Sequence, residues 1–172
     1  MTSETLYALV VLAVAGERLF ELRIAARNRR VAIAQGAKEY GAGLFPIMSA
    51  MHTLFLVSCV AEVFFFHRPL HPPLAVVALA LVAGAQALRY WCIATLGPRW
   101  NVRVIVVPRM TLAKNGPYRF LRHPNYLAVV VEVVALPLVH TAWLTALVFS
   151  LLNAAVLTIR IRVEDAALQE LA

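Results

Sequence analysis

Side chains that could bind or transform a ligand are concentrated in residues 116–126, which read GPYRFLRHPNY. Within nine positions this stretch holds Tyr118, His123, Asn125 and Tyr126, together with two arginines. Phenol rings can pack on a flat ring or a cation, and an imidazole can donate or accept a hydrogen bond. By composition alone, the stretch also fits a basic loop at a membrane surface with an aromatic anchor. The density of titratable and aromatic groups is the argument for a binding site.

A second pair of reactive side chains, Arg160 and Glu164, lies near the C-terminus in the sequence RIRVED. Residues four apart share one face of a helix. A weak ion pair at a helix end is one interpretation, but arginine before glutamate is the less favourable order for such a pair. An apolar hairpin separates this pair from His123, so both groups are predicted to reach the same membrane face and form a shared site.

The composition indicates what kind of protein must position these residues. Of 172 residues, 62% are hydrophobic and 15% are charged, and the mean hydropathy is +0.76. Soluble domains average roughly 45–50% apolar and about 25% charged residues, and disordered chains are poorer still in apolar residues. Both classes are therefore excluded. A nucleic-acid-binding protein is also disfavoured, because little polar sequence remains to build one around the net charge of +7.

Long apolar runs predict an all-α, polytopic membrane protein, because roughly 20 apolar residues are needed to cross the hydrocarbon layer as a helix. The fourth run is short and is interpreted as half of a tight helical hairpin. No repeat or linker interrupts the chain, so residues 1–172 are predicted to form one domain, with three spans in 1–96 and the polar loop, hairpin and helix end in 97–172. The five predicted spans are Leu6–Leu22, Leu44–Phe66, Leu74–Leu96, Tyr126–Val139 and Trp143–Ile159.

The distribution of basic residues predicts the orientation of these spans. Lysine and arginine cluster after the first, third and fifth spans, whereas the opposite loops hold only Arg68. The positive-inside rule then places the N-terminus outside and the polar site on the cytoplasmic side. Arg89 fits this scheme if its side chain extends to the interface. Residues 24–43 are interpreted either as an amphipathic arm on the anionic leaflet or as a solvated loop.

The GPYR and RHPNY elements, followed by an apolar hairpin and then Arg160 and Glu164, resemble the isoprenylcysteine carboxyl methyltransferase family. These are integral membrane enzymes that use S-adenosylmethionine. The resemblance covers roughly the last 75 residues. The short length and the stretches ERLFELR and RYWCIATLGPRWNVRVIVVP look most like small bacterial members, some of which methylate polyketide-derived phenolic lipids or alkylpyrones.

The resemblance implies roles for individual residues. Arg160 would contact the substrate and take part in catalysis. The cofactor would be bound by Tyr118, by the HPxY element, by Glu164 and by the loop Met110 to Ala113, which includes Leu112. In this sequence the HPxY element is His123, Pro124, Asn125 and Tyr126.

Polar residues inside the predicted spans are costly in a membrane and mark candidate functional positions. Glu132 lies beyond the HPxY element on the same span and is the best candidate for lining a substrate tunnel. Pairing with Gln86 or His52 is the alternative interpretation. No metal site is predicted, since His67 and His71 lack a closing set of ligands, and Cys59 and Cys92 are interpreted as buried apolar residues.

Taken together, the sequence predicts a membrane O-methyltransferase acting on a carboxylate, enol or phenol oxygen of a lipophilic substrate. The acceptor would be isoprenylcysteine-like or a polyketide-derived lipid. No glycine-rich motif of a Rossmann-type methyltransferase is present. Two alternatives remain: a nicotinamide-dependent sterol or lipid reductase, whose C-terminal half is related, and a non-catalytic lipid-binding protein. The partners expected are a lipophilic substrate and the bilayer, while the oligomeric state stays open.

Overall fold

Five α-helices make up most of the computed structural model, which describes residues 2–108 and 111–169. Prolines occupy the first helical position of two helices, where their missing N–H costs nothing. A glycine with positive φ, Gly97, ends the third helix. The helices are α1 (Ser3–Ala34), α2 (Leu44–Phe65), α3 (Pro72–Leu96), α4 (Pro124–Leu138) and α5 (Trp143–Gln169).

Three of these helices are long and apolar enough to cross a membrane, namely α2, α3 with the turn that follows it, and α5. They support an integral membrane protein. The predicted count of five spans is not confirmed, because the other two helices do not have both the length and the apolar composition that a span needs. The apolar run within α1 is interrupted by the charged residues Glu17, Arg18 and Glu21. Helix α4 has 15 residues, which at 1.5 Å per residue is about 22 Å. The second to fifth predicted spans nevertheless begin within two residues of observed helices.

The predicted tight hairpin is confirmed. Helix α4 ends at Leu138, and α5 begins at Trp143 after a four-residue turn that contains Thr141 with positive φ. Tyr7 of α1 closes the same end of the bundle, since its hydroxyl donates to the carbonyl of Leu136 at 3.2 Å. The apolar core lies between α1, α2, α3, α4 and α5 around fully buried residues such as Cys59.

Glu62 fixes the start of α5 from a neighbouring helix. Its carboxylate accepts hydrogen bonds from the backbone N–H groups of Leu144 at 3.2 Å and Thr145 at 2.6 Å, and from Arg68 Nε at 2.9 Å. These two N–H groups have no partner within their own helix. This intramembrane carboxylate is therefore explained by helix capping, and it takes no part in the site at the other end of the hairpin.

The segment between α1 and α2 differs from both sequence interpretations, and the fold is not purely helical. Helix α1 continues to Ala34, and a short strand β1 (Lys38–Tyr40) pairs antiparallel with β2 (Val104–Val106). Such pairing joins residues more than sixty positions apart, which periodicity within one segment cannot reveal. We call this two-stranded sheet the β clasp.

The β clasp holds the C-terminal part of α5. Val104 and Val106 pack against Ala167, and Glu39 joins the clasp to its surroundings by accepting from Arg29 at 2.9 Å and Arg103 at 2.5 Å. Burial raises the pKa of Glu39, but the hydrogen bonds from these two arginines outweigh burial and lower it. The clasp therefore fixes the end of the helix that carries Arg160 and Glu164.

Candidate cofactor and substrate site

The phenol of Tyr126, which belongs to the HPxY element before the hairpin, contacts both Arg160 and Glu164, which follow the hairpin. Tyr126 lies in the first turn of α4, and its hydroxyl donates to Glu164 Oε2 on α5. The same oxygen accepts a hydrogen bond of 2.8 Å from Arg160 Nε. Arg160 and Glu164 are thus bridged by Tyr126, and the direct ion pair considered from their spacing is replaced by a relay through the phenol. The HPxY element and the end of α5 therefore lie together, as predicted, while their role as a shared binding site stays a prediction.

His123 lies on the other side of Tyr126. The two rings are stacked, with centroids 5.3 Å apart and planes 17° from parallel. The Nδ1 atom of His123 is 3.6 Å from Glu164 Oε1, and its Nε2 atom is 3.5 Å from Asp165 Oδ1. Neither His123 Nε2 nor Asp165 Oδ1 has a hydrogen-bond partner within the described residues, although both atoms are buried. Asp165 Oδ1 lies 3.1 Å from a terminal nitrogen of Arg122 in an ion pair, so His123 Nε2 is the atom that a polar ligand would satisfy.

The charge of His123 depends on its two acidic neighbours. Hydrogen bonding to Glu164 raises the pKa of His123, and the negative charges of Glu164 and Asp165 add to this, while burial and Arg122 oppose it. The net direction is upward from the ordinary value of 6.5. The imidazolium form is therefore favoured by the fold.

We expect this interaction to give the protein a pH-dependent stability. A raised folded-state pKa means that the stabilisation is fully present below pH 6.5, the ordinary pKa, and is lost as the pH rises through the folded-state value. His123→Gln should therefore lower the melting temperature of detergent-purified protein most in the acidic range and least in the alkaline range. His71→Gln, at the exposed start of α3, is the control. An equal loss for His123→Gln across the whole range would contradict this prediction.

Arg160 is a buried cation without a carboxylate partner among the residues that the structure describes. Its residue is 6% exposed. Besides Tyr126, its guanidinium donates to the thioether of Met48 at 3.1 Å, and in the part of the chain that the structure describes it makes no ion pair. A buried charge without a partner is costly. This side chain is therefore suited to receive an anionic or strongly hydrogen-bonding oxygen.

A cavity of about 440 Å³ opens beside Arg160. Tyr126 and Asn125 line it at the same end, and the buried Oδ1 atom of Asn125 has no partner among the described residues. The volume is within the usual range for small-molecule sites. Most of the remaining wall is aliphatic and comes from α1, α2, α4 and α5, with residues such as Val11, Leu12, Leu56, Val57, Val129 and Leu157.

The other predicted cofactor residues lie at different distances from this centre. Tyr118 lies in the 3-10 turn Gly116–Arg119, and burial together with the nearby Cys92 thiol raises the pKa of the phenol. Pro124 is buried as the first residue of α4. Leu112 is 58% exposed and is not drawn into the cluster. Met110 lies outside the described residues.

Glu132, predicted to line a substrate tunnel, is instead buried behind the cavity wall. Its Oε2 atom accepts from Arg18 at 2.6 Å and from Arg89 at 2.8 Å. The alternative partner Gln86 belongs to the same network through Arg18, at 3.0 Å. The prediction that Arg89 extends to the interface is wrong, because this residue is 4% exposed and paired with Glu132. We call Arg18, Glu21, Arg89 and Glu132 the inner charged cluster.

Sequence reasoning missed several groups around the cavity. Arg18 and Glu21 were visible as charges interrupting the first span, and this was the signal that could have marked them. Met48 and Trp100 carried no such signal, since a methionine in an apolar span and a tryptophan in a basic loop are common. Their position beside Arg160 or in the cavity wall follows from packing between distant segments.

Comparisons with known proteins show what this chain is similar to. Two bacterial relatives align over 155 residues, or 90% of this chain. The "Uncharacterized protein YpbQ" of Bacillus subtilis (strain 168) is 40% identical over 91% of its length. An "Uncharacterized protein" of Haemophilus influenzae is 28% identical over 90% of its length.

The family comparison is more informative, since it matches residues 76–170 to the isoprenylcysteine carboxyl methyltransferase family. This match contains α4, α5 and the whole Tyr126–Arg160–Glu164 arrangement. Membership implies a membrane methyltransferase that acts on a lipophilic substrate. More than half of the chain is covered, and the chain therefore belongs to the isoprenylcysteine carboxyl methyltransferase family.

Proposed function

We propose that this protein is an S-adenosylmethionine-dependent O-methyltransferase that methylates a carboxylate, enol or phenol oxygen on a lipophilic molecule. The observation that carries the proposal is the position of Arg160. It is a buried cation that has no ion pair within the described part of the chain, and it lies in the wall of the apolar cavity. Through Tyr126 it is joined to Glu164, the acidic residue on the proposed cofactor side. One side chain thus connects a polar binding region to a space suited to a lipid.

The donor and acceptor groups fit S-adenosylmethionine. This cofactor carries an amino acid head, a ribose, an adenine and a methyl group activated on a sulfonium. Glu164 can accept hydrogen bonds from the amino group or the ribose. The unpartnered His123 Nε2 can take part in one more hydrogen bond. Asp165 Oδ1, which is ion-paired with Arg122 at 3.1 Å, has a second lone pair that can accept another. Tyr118 and the stacked ring of Tyr126 offer aromatic faces for adenine or the cation.

Arg160 would act on the methyl-accepting oxygen. With Nε held by Tyr126 and one terminal nitrogen donating to Met48, the rest of the guanidinium is available to an incoming anion. Pairing with this cation stabilises the oxyanion, so it lowers the pKa of the acceptor. Holding that oxygen in place supplies the positioning on which an in-line displacement depends.

The possible methyl acceptors differ in whether their oxygen must be deprotonated by the protein. A carboxylate or an acidic enol arrives ionised, whereas a phenol with a pKa near 10 must lose a proton. Tyr126 donates a hydrogen bond to Glu164, and His123 lies 3.6 Å from the same carboxylate. Each of these three groups therefore already interacts with another of them, and none is free to act as a dedicated base. The geometry supports an acceptor that is already acidic more strongly than an unactivated phenol.

The apolar cavity suits the rest of the substrate. A volume of about 440 Å³ equals on the order of 15 water molecules at about 30 Å³ each. A ring or a prenyl segment fits inside, and a longer chain would extend into the bilayer. We propose that the tail enters from the membrane while the cofactor arrives from the cytoplasmic side, the side that the basic residues indicate.

The proposal is tested by identifying the cofactor. Protein purified in detergent should bind S-adenosylhomocysteine in equilibrium dialysis. Membranes containing the protein should transfer label from S-adenosylmethionine to an extractable lipid, whose identification names the substrate. Binding of reduced nicotinamide nucleotide in place of S-adenosylhomocysteine would instead support the reductase, and binding of neither would support a non-catalytic lipid-binding protein.

A further inference from the structure

The 3-10 turn Gly116–Arg119, which we call the GPYR turn, packs very closely on the end of α3. Gly116 has a φ of +55°, a conformation that glycine adopts freely and other residues adopt rarely. A Cβ atom built on Gly116 would overlap Oγ1 of Thr95 and would lie 3.0 Å from its Cγ2. Any side chain at residue 116 would therefore displace the turn, the helix or both.

A second contact lies in register with the first. Cys92 precedes Thr95 by three residues on α3, so the two side chains share one face of the helix. Tyr118 follows Gly116 by two residues and lies beside the Cys92 thiol. Pro117, between the two contacts, is fully buried. The GPYR turn is thus held against one face of α3 at two successive points.

The GPYR turn is also connected to the candidate site. Glu164 and Tyr126 are near enough to Tyr118 to act on it electrostatically, and both add to the raised pKa of its phenol. The backbone N–H of Leu121 donates to the carbonyl of Pro117 at 3.1 Å, and α4 begins three residues later. A shift of the turn along α3 would therefore move the ring of Tyr118 and the segment that leads into the HPxY element.

We propose that Thr95 is a positioning residue, which packs on Gly116, holds the GPYR turn against α3 and thereby fixes the ring of Tyr118 for the cofactor. This inference rests on the proposed function for the cofactor role of Tyr118. Thr95 lies outside the GPYR and RHPNY elements, and it acts through the turn without touching the cofactor.

The first measurement is the accessibility of Cys92, and it needs no cofactor. Cys92 and Cys59 are both fully buried free thiols, and Cys59 lies in the apolar core. Detergent-purified protein is treated with N-ethylmaleimide, and the labelling of each thiol is followed by mass spectrometry. Gly116→Ala should speed the labelling of Cys92 by about ten-fold or more through local opening, and leave that of Cys59 unchanged. Equal acceleration at both thiols would overturn a local role.

The second measurement is the affinity for S-adenosylhomocysteine in equilibrium dialysis. Gly116→Ala should weaken binding by about ten-fold, the scale of one lost aromatic contact. Thr95→Ala removes the two closest atoms and leaves the Cβ of residue 95 at 3.2 Å. Combined with Gly116→Ala, it should return both measurements to within about three-fold of the wild type, as expected for directly coupled residues. Failure of this rescue would show that the contact with Thr95 does not position the turn.

Gly36→Ala is the matched control. Gly36 also has a positive φ, but a Cβ atom built there meets no described atom within 4 Å. It should leave both measurements unchanged, which separates overlap with Thr95 from backbone strain. If Gly116→Ala fails to fold, Thr95→Ile increases the overlap from the side of α3 and should give the same selective labelling of Cys92. Wild-type protection of Cys92 in that variant would overturn the proposal.

The outcome is separable from that of the proposed function. Selective labelling of Cys92, together with no binding of S-adenosylhomocysteine by the wild type, would refute the methyltransferase and leave Thr95 as the anchor of the GPYR turn. Binding by the wild type that Gly116→Ala does not weaken would overturn the positioning role alone.

Discussion

Arg160→Met should reduce the rate of methyl transfer by about 100-fold or more while changing the affinity for S-adenosylhomocysteine by less than about three-fold. Removing one preorganised group that stabilises a developing or bound oxyanion typically costs this much in turnover. Methionine keeps the length and apolar stem of the side chain, so the cavity wall is preserved. Rates are measured as label transferred from S-adenosylmethionine to lipid in membranes with equal amounts of protein, and affinity by equilibrium dialysis.

The matched control is Arg162→Met, two residues further along α5. Arg162 is exposed and lines no part of the cavity, so this variant should keep its activity. It removes the same charge from the same helix, which separates a local role from a general effect of basic residues on membrane insertion. Near-normal activity of Arg160→Met would show that the guanidinium does not hold the acceptor oxygen.

Glu164→Gln should weaken the binding of S-adenosylhomocysteine by about ten-fold or more, because hydrogen bonds to charged groups contribute about 1.5–3 kcal/mol. Glutamine has nearly the same shape but lacks the charge that holds His123 and receives the hydrogen bond from Tyr126. It also replaces one acceptor oxygen by a donor. The measurement is equilibrium dialysis of detergent-purified protein with labelled S-adenosylhomocysteine.

Glu4→Gln is the control, since Glu4 lies in the first turn of α1 at the end of the fold opposite to the site. The melting temperature of each variant, measured without ligand, shows whether the fold is retained. A folded Glu164→Gln protein with wild-type affinity would mean that Glu164 positions Tyr126 and His123 without touching the cofactor.

The two variants probe opposite sides of one phenol. Arg160 and Glu164 both bind the hydroxyl of Tyr126, yet the proposed roles predict different defects, one in turnover and the other in cofactor affinity. If both variants lost both properties equally, the relay through Tyr126 would be acting as a single structural unit.

The extent to which the sequence predicted this structure depends on the range of the interactions. The hairpin and the start of α5 at Trp143 follow from local hydropathy and turn residues, and they are confirmed. The meeting of His123 with Glu164 follows from hairpin geometry once the two helices are antiparallel. These features depend only on segments that are consecutive in the sequence.

Features that depend on distant segments were not predictable in the same way. The β clasp pairs Lys38–Tyr40 with Val104–Val106, and short strands have too few residues to show a period. Arg89 looked like an interfacial side chain because its partners Glu21 and Glu132 lie on other helices. The charges themselves were visible, but which of them share a buried site depends on tertiary packing.

The shortness of α4 would place the proposed reaction at a particular depth in the membrane. Trp143 and Arg68, whose guanidinium lies 5.0 Å from the indole ring, are side chains typical of a membrane–water interface and mark one end of the hairpin. Helix α4, whose 15 residues end near Trp143, would reach from that side about 22 Å into a hydrocarbon layer of about 30 Å. Tyr126 at its far end is thus recessed by several ångströms from the opposite surface. Such an enzyme would meet the polar head of a lipid below the phosphate plane, so bilayer thickness would regulate how well substrate and catalyst are aligned.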